Sequence, residues 1–186
     1  MFDHSKIKIS DKTHYLKIFL ETGIGMITVR LDFDDPALRR KLRHSLGISI
    51  PSVRHMEATT YTALGWMSPD ELLYFCAIAE VDTRINLLRD SLRSHHSLVL
   101  DVSDARVVFS LEGDKVREVI AKFAPIDTDP NSLELGEIRR TRFSQTAAAV
   151  WLTAENSATV ICFRSVEKYL HDLLLISCEE GSEVGV

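Results

Sequence analysis

Three groups of polar side chains in this sequence have the residue types that acid–base chemistry, metal binding or anion binding requires. His95-His96 could hold a metal ion or move a proton, and Asp70-Glu71 could act as an acid and a base. Three arginines within Arg139–Arg142 could grip a carboxylate or a phosphate. Each group therefore has to be weighed against a structural explanation.

A structural explanation exists for all three groups. Adjacent histidines on an extended segment point to opposite sides, so His95-His96 is also explained as a solvated connection between a helix and a strand. The acidic pair ends Ser68-Pro69-Asp70-Glu71, where a tight turn favours these residue types. On a strand Arg140 and Arg142 share one face and Arg139 takes the other, which is also typical of surface or interface charge.

Motifs of nucleotide-binding proteins and of serine hydrolases are absent from the sequence. Gly23-Ile24-Gly25 lacks the third glycine and the following helix of a dinucleotide-binding loop, and it is predicted to be a hairpin turn. Ser103 has no nucleophile motif around it, and Trp66 and Trp151 are predicted to be core or interface anchors. The sequence therefore predicts no catalytic, cofactor-binding or metal-binding residue in this chain.

The composition is that of a globular protein able to bury a core, with 186 residues, 45% hydrophobic and 26% charged. The formal charge of −5 argues against nucleic acid as a partner. The cysteines Cys76, Cys162 and Cys178 are far apart in apolar surroundings, which favours buried thiols over disulfides or a zinc site. The polar N-terminal sequence has no signal-peptide pattern, and no apolar run approaches the ~20 residues of a membrane span. We therefore expect no membrane association and a cytoplasmic location.

The centre of the chain reads as strand, short connection, strand, glycine and helix. Leu98–Val102 and Val107–Leu111 alternate between apolar and more polar residues, as strands with one buried face do. The connection Ser103-Asp104-Ala105 is short, so we expect the two strands to pair antiparallel. Gly113 breaks the second strand, and a helix with one apolar stripe follows and ends at Pro125.

The same order of strands followed by a helix recurs along the chain. Tyr15–Asp32 is predicted to be a hairpin that precedes a helix from Pro36 to Leu46. Two strands precede a helix over Glu80–Arg93, and three strands precede a last helix capped by Ser165. Neighbouring strands are too close in sequence for crossover helices, so the predicted class is α+β. Antiparallel or mixed sheets would carry the helices, in repeated strand-strand-helix units.

The domain organisation follows from these elements. Residues 1–12 are predicted to be a polar lead, residues 13–178 a single domain, and residues 179–186 a polar tail that frays. The domain could divide into two lobes, at about 13–93 and 94–178.

Several turn and cap motifs resemble those of one protein family. Leu64–Leu73 is similar to a Leu-Gly-Pro-Asp-Glu-Trp-Leu turn between two strands, and Val102–Asp114 to an Asp-Val-Ser strand followed by a second strand, glycine and helix. Ala124–Asp127 resembles Cys-Pro-Leu-Asp after that helix. Arg164–Val166 with Tyr169-Leu170 resembles the Arg-Ser-Phe start of the last helix. Together these stretches resemble the gamma subunit of heterotetrameric sarcosine oxidase.

The resemblance implies a fold like the folate-binding part of the glycine cleavage T protein, an aminomethyltransferase. It implies a complex that oxidatively demethylates sarcosine to glycine, with hydrogen peroxide and methylenetetrahydrofolate as co-products. FAD, FMN, NAD and tetrahydrofolate would lie in partner subunits and not in this chain. This chain would be non-catalytic and would assemble and stabilise the alpha, beta and delta-type subunits; alone it could form a homo-oligomer.

Two other functions stay open. The first is a freestanding folate-binding or one-carbon transfer protein related to the T protein. Such a protein needs a pocket with an acidic residue for the pterin ring, for which Asp101 and Asp127 are candidates. Asp101 is also explained as the solvent side of a strand. The second is an unrelated interaction protein or homodimer.

Overall fold

The structure is a computed structural model. It describes the backbone of residues 5–8, and the backbone and side chains of residues 15–184. The chain divides into two compact units. The first unit holds Gly23–Asp104, and the second holds the described residues of Ser5–Thr22 and of Ala105–Val186. The strands are β1 (Ser5–Lys8), β2 (Lys17–Thr22), β3 (Ile24–Arg30), β4 (Met56–Ala58), β5 (Ala63–Ser68), β6 (Glu71–Ala77), β7 (Leu98–Asp101), β8 (Arg106–Glu112), β9 (Arg139–Phe143), β10 (Thr146–Ala154) and β11 (Ser157–Phe163). The helices are α1 (Pro36–Leu46), α2 (Val81–Leu92), α3 (Val116–Phe123) and α4 (Glu167–Ile176).

The first unit is an antiparallel sheet in the order β4-β5-β6-β3-β7 with α1 and α2 packed against it. Helix α1 begins as predicted, because the Asp35 carboxylate accepts a hydrogen bond of 2.7 Å from Ala37 N, and Pro36 follows the cap. Gly47 ends the helix in a left-handed conformation, with φ of 67°. The helices place their apolar seams in one core, and the helix residues of that core are Leu38, Leu42, Leu46, Val81, Ile85, Leu88 and Leu92.

The second unit is an antiparallel sheet in the order β1-β2-β8-β11-β10-β9, with α3 and α4 in its core. The predicted apolar stripes are buried at Val116, Val119 and Ile120 on α3 and at Leu170 and Leu174 on α4, but Tyr169 of the α4 stripe is 42% exposed. The predicted N-cap at Ser165 is wrong, because Arg164–Val166 form a 3-10 turn ahead of α4 and no side chain caps that helix. No helix among residues 15–184 combines the length and the apolar character of a bilayer-crossing segment.

The two units repeat one arrangement in the same register. β6 and β11 both have seven residues and both run directly into a 3-10 turn of three residues and then a helix. β3 pairs with β6 along the full length of both strands, and β8 pairs with β11 in the same way. β7 lies on β3 as β2 lies on β8. The predicted α+β class with repeated strand, strand and helix is confirmed.

Two predicted hairpins are wrong. β2 and β3 lie in different sheets, and so do β7 and β8, so both short connections carry the chain from one unit to the other. The predicted buried face of β7 is also wrong, because Leu98 and Leu100 are exposed and Val99 is buried, and β3 and β8 are buried on both faces. Alternation also does not say which strand is the partner. Gly23 makes the first crossing with φ of 76°. Gly25 is a buried residue of β3, where an added Cβ would lie 2.1 Å from Val81 Cγ2.

Candidate functional site

The acidic pair of the predicted turn has a structural role. β5 and β6 form the predicted hairpin, and Ser68 Oγ donates a hydrogen bond of 2.6 Å to Asp70 Oδ1 at its tip. This bond, with the nearby Arg30 guanidinium, lowers the pKa of Asp70. The Glu71 side chain is 7% exposed and forms an ion pair of 2.7 Å with Arg30 Nη2 on β3. Asp70 therefore stabilises the turn, and Glu71 links β6 to β3.

The histidine pair follows α2 in the predicted helix-to-strand connection. His95 Nδ1 lies 3.0 Å from Ser94 Oγ, and His96 is exposed. Among the residues that the structure describes, no three His, Cys, Asp or Glu side chains come together as a metal site would require. The described residues therefore provide no set of ligands for a metal ion at His95-His96.

The arginines of β9 divide as their alternation predicts. Arg139 Nη2 donates a hydrogen bond of 2.7 Å to Ser132 O and lies 2.9 Å from Glu137 Oε1, so this side chain holds the loop before β9. Arg140 and Arg142 are exposed on the other face. These three cations do not converge on one point.

Of the two pterin-binding candidates, Asp101 is the last residue of β7 and Asp127 lies in the loop after α3. The Asp101 carboxylate accepts hydrogen bonds from the N–H and the hydroxyl of Ser103, and Ser103 Oγ accepts one of 2.9 Å from Met26 N. Ser103 therefore shapes the crossing between the units. Asp127 accepts a hydrogen bond of 3.0 Å from Asp129 N, and its pKa is lowered by hydrogen bonds from Ser132 and that N–H. Neither carboxylate lines either of the two grooves described below.

The cysteines and tryptophans behave as core side chains. Cys76, Cys162 and Cys178 are free, buried thiols, and burial raises the pKa of Cys76 to about 11 and that of Cys162 to about 12. Such thiols are not nucleophiles near neutral pH. Trp151 is 7% exposed, and Trp66 packs partly buried against the core of the first unit.

A buried cluster of charged groups in the second unit was not anticipated from the sequence. Glu118 and Lys122 lie one turn apart on α3, with 3% and 7% of their side chains exposed and 3.8 Å between Oε1 and Nζ. Lys122 Nζ donates to Ser177 O at 2.7 Å and to Ser182 Oγ at 3.0 Å. Glu118 Oε1 accepts a hydrogen bond of 3.0 Å from Val184 N. We call Glu118 and Lys122, with their bonds to residues 177–184, the C-terminal clamp.

The surroundings of Glu118 in the clamp favour its charged form. The Val184 N–H and the Lys115 ammonium favour the charged carboxylate and lower the pKa of Glu118. The Lys122 ammonium also lies 5.1 Å from the centre of the Tyr15 ring, and a hydrogen bond with Glu183 raises the pKa of Tyr15. These contacts join residues 182–184 to α3, in the part of the chain for which the sequence predicts a polar tail. The i, i+4 spacing of Glu118 and Lys122 was the available sequence signal, but it is equally typical of a solvated helix face.

Two basic grooves lie in the first unit. One, of ≈ 480 Å³, is formed at the end of α1 by Arg40, Arg43 and His44 with the residues that follow. Helix α1 carries no acidic residue. The other, of ≈ 310 Å³, lies between the end of α2 and β7 and includes Arg89 and Arg93. These features are suited to binding acidic groups of a partner.

Comparison with known proteins identifies relatives of one kind. The model of the sarcosine oxidase, gamma subunit family matches residues 30–179. The curated sarcosine oxidase subunit gamma of Corynebacterium sp. (strain U-96) is 28% identical over 125 residues. That alignment covers 67% of this chain and 60% of the relative, so it spans less than two thirds of the relative's length.

Solved structures share the fold. A chain of the heterotetrameric sarcosine oxidase from Corynebacterium sp. U-96, in complex with pyrrole 2-carboxylate, has a TM-score of 0.83 and 21% identity, covering 96% of this chain and 91% of that chain. The glycine cleavage system aminomethyltransferase T from Bartonella henselae has a TM-score of 0.62 and 13% identity, covering 88% of this chain and 46% of that chain. The predicted likeness to the aminomethyltransferase fold is confirmed.

Proposed function

Because the chain belongs to the sarcosine oxidase gamma subunit family, we propose that it is the gamma-type subunit of a heterotetrameric sarcosine oxidase complex. The complex would oxidatively demethylate sarcosine to glycine, with hydrogen peroxide and methylenetetrahydrofolate as co-products. The observation that carries the proposal is the family match over residues 30–179, which includes both β5–β6 and β10–β11 hairpins with their helices.

The part that we propose for this chain is assembly and stabilisation of the larger subunits. The partners would be alpha, beta and delta-type subunits, and these would hold FAD, FMN, NAD and tetrahydrofolate. The contacts of the candidate catalytic groups support this role: Glu71 pairs with Arg30, and Asp101 binds Ser103. Glu71 links two strands and Asp101 holds the turn after β7, while the basic grooves of the first unit are open to a partner.

We further propose that the complex works in the cytoplasm. Three buried free thiols are typical of a protein from a reducing compartment.

Co-purification from the native host tests the proposal. The full chain carries a tag, and the eluate is examined by mass spectrometry and by its visible absorption spectrum. We expect large subunits identified as sarcosine oxidase chains, with the absorption bands of a flavin. A colourless homo-oligomer would contradict the proposal, and tetrahydrofolate titration of that oligomer would then test the freestanding folate-binding alternative.

A further inference from the structure

The outer edge of β7 differs from the corresponding edge in the second unit. β7 lies on β3 in the same register in which β2 lies on β8. In the second unit β1 adds antiparallel to the free side of β2. In the first unit β7 is the last strand of its sheet among the residues that the structure describes. The repeat therefore indicates a place for one more strand beside β7.

Backbone groups of β7 are directed toward that place. Val102 follows the last residue of β7, and its N–H donates a hydrogen bond of 2.8 Å to Met26 O, directly opposite on β3. Hydrogen-bonded and non-hydrogen-bonded pairs alternate along an antiparallel ladder, so Leu98 and Leu100 turn their backbone groups toward β3. Val99, between them, turns its N–H and C=O outward. These groups can pair with an added strand.

The side chains of β7 give that edge an apolar face. Leu98 is 49% exposed and Leu100 is 47% exposed, and their alternation places both on the same face of the sheet. Val99 is buried on the opposite face, in the core of the first unit. An apolar edge strand attracts other strands, and proteins usually cover or charge such an edge.

A basic groove lies beside the edge on the side of α2, and Leu98 and Val99 also line it. Arg89, Arg93 and His95 line the groove of ≈ 310 Å³ between α2 and β7. Arg89 Nη2 donates a hydrogen bond of 2.9 Å to the outward-facing Val99 O, so the guanidinium lies at the edge itself. A carbonyl oxygen has two lone pairs and can accept a second hydrogen bond from an added strand.

We infer that β7 accepts an extended strand from a partner subunit. The strand would pair with the outward backbone groups of β7 and alternate between two kinds of side chain. Apolar side chains would cover Leu98 and Leu100, and carboxylate side chains would enter the basic groove. The inference rests on the proposed function, because the occupant is a strand of a subunit of that complex. A second copy fits less well, since a symmetric β7 pair would bring the Arg89 side chains of both copies together.

Amide hydrogen exchange tests the occupant directly. The full chain alone and the complex purified from the native host are compared, with residue resolution over Leu98–Ser103. We expect Val99 N–H to exchange rapidly in the isolated chain and at least tenfold more slowly in the complex, while Leu100 N–H is protected in both. Unchanged exchange of Val99 on assembly would overturn the inference. Slow exchange in the isolated chain would also overturn it, in favour of a second copy or of another segment of this chain, which light scattering separates.

A pair of variants provides the second measurement. The double variant Leu98→Lys and Leu100→Lys changes only exposed side chains, and Leu87→Lys, at a position 45% exposed on α2, is the matched control. We expect the double variant to lose at least tenfold in the amount of partner subunits recovered, and the control to equal the wild type. Equal recovery by all three proteins would overturn the inference and leave the proposed function standing. Failure of the wild type to recover partners would overturn both.

Discussion

In the second unit β1 covers the free side of β2, and the C-terminal clamp holds residues 182–184 against α3. In the first unit the equivalent strand, β7, ends its sheet among the described residues, and the ends of α1 and α2 form basic grooves. The strand register is the same in both units. Register alone therefore does not determine what a unit exposes: β1 covers β2 in the second unit, and β7 is the last described strand of the first. Changes to the clamp should alter stability, whereas changes at β7 should alter assembly.

The largest effect expected is that of Lys122→Met. The Lys122 side chain is 7% exposed and pairs with the buried Glu118, so its loss leaves a carboxylate without its main buried cation. We expect the free energy of unfolding to fall by about 3 kcal/mol, measured by urea denaturation. Lys115→Met is the matched control, because this cation pairs with the same carboxylate at 3.2 Å but is 51% exposed. We expect the control to lose less than about 1 kcal/mol. Equal losses would show that burial of the pair is not the cause.

The next effect concerns pH. Glu118 has a lowered pKa in the folded protein, below its ordinary value of 4.5. Its contribution to stability is therefore present above about pH 4.5 and is lost as the pH falls through the folded pKa. We expect Glu118→Gln to make the stability of the protein less dependent on pH below 4.5, as measured by thermal unfolding between pH 3 and 7. A variant with the wild-type slope in that range would contradict this assignment.

Part of the fold could be predicted from the sequence alone. The seam of α1 and the β5–β6 hairpin could be predicted, because helical spacing and a Pro-containing turn are local signals. The partners of β2 and β7 could not, since a short connection looks the same whether it closes a hairpin or crosses to another sheet. The clamp joins Glu118 to Val184, a contact with no local signal. Grooves and exposed edges are likewise products of packing between distant segments.

A smaller effect is expected for the ion pair of the first unit. Arg30 is 48% exposed, although Glu71 is 7% exposed, so water can replace much of what the guanidinium supplies. We expect Arg30→Met to lower the free energy of unfolding, but by less than Lys122→Met. Arg84→Met is the control, because its partner Glu80 is 48% exposed whereas Glu71 is buried, and we expect a loss below about 0.5 kcal/mol. A loss at Arg30 larger than at Lys122 would reverse the comparison between the units.

The smallest effect is expected from chemical labelling of the thiols. Labelling compares how readily the two units open, without changing their packing. Cys76 and Cys162 occupy the same position of β6 and β11, and burial raises the pKa of both thiols to about 11 and about 12. At pH 8 each thiol should react with iodoacetamide only when its own unit opens. With single-cysteine variants in mild urea, we expect Cys76 to react before Cys162, because the clamp holds the second unit closed. Lys122→Met should bring the labelling rate of Cys162 closer to that of Cys76. Equal rates at every urea concentration would mean that the two units open together. The two units would then differ in their surfaces but not in their stability.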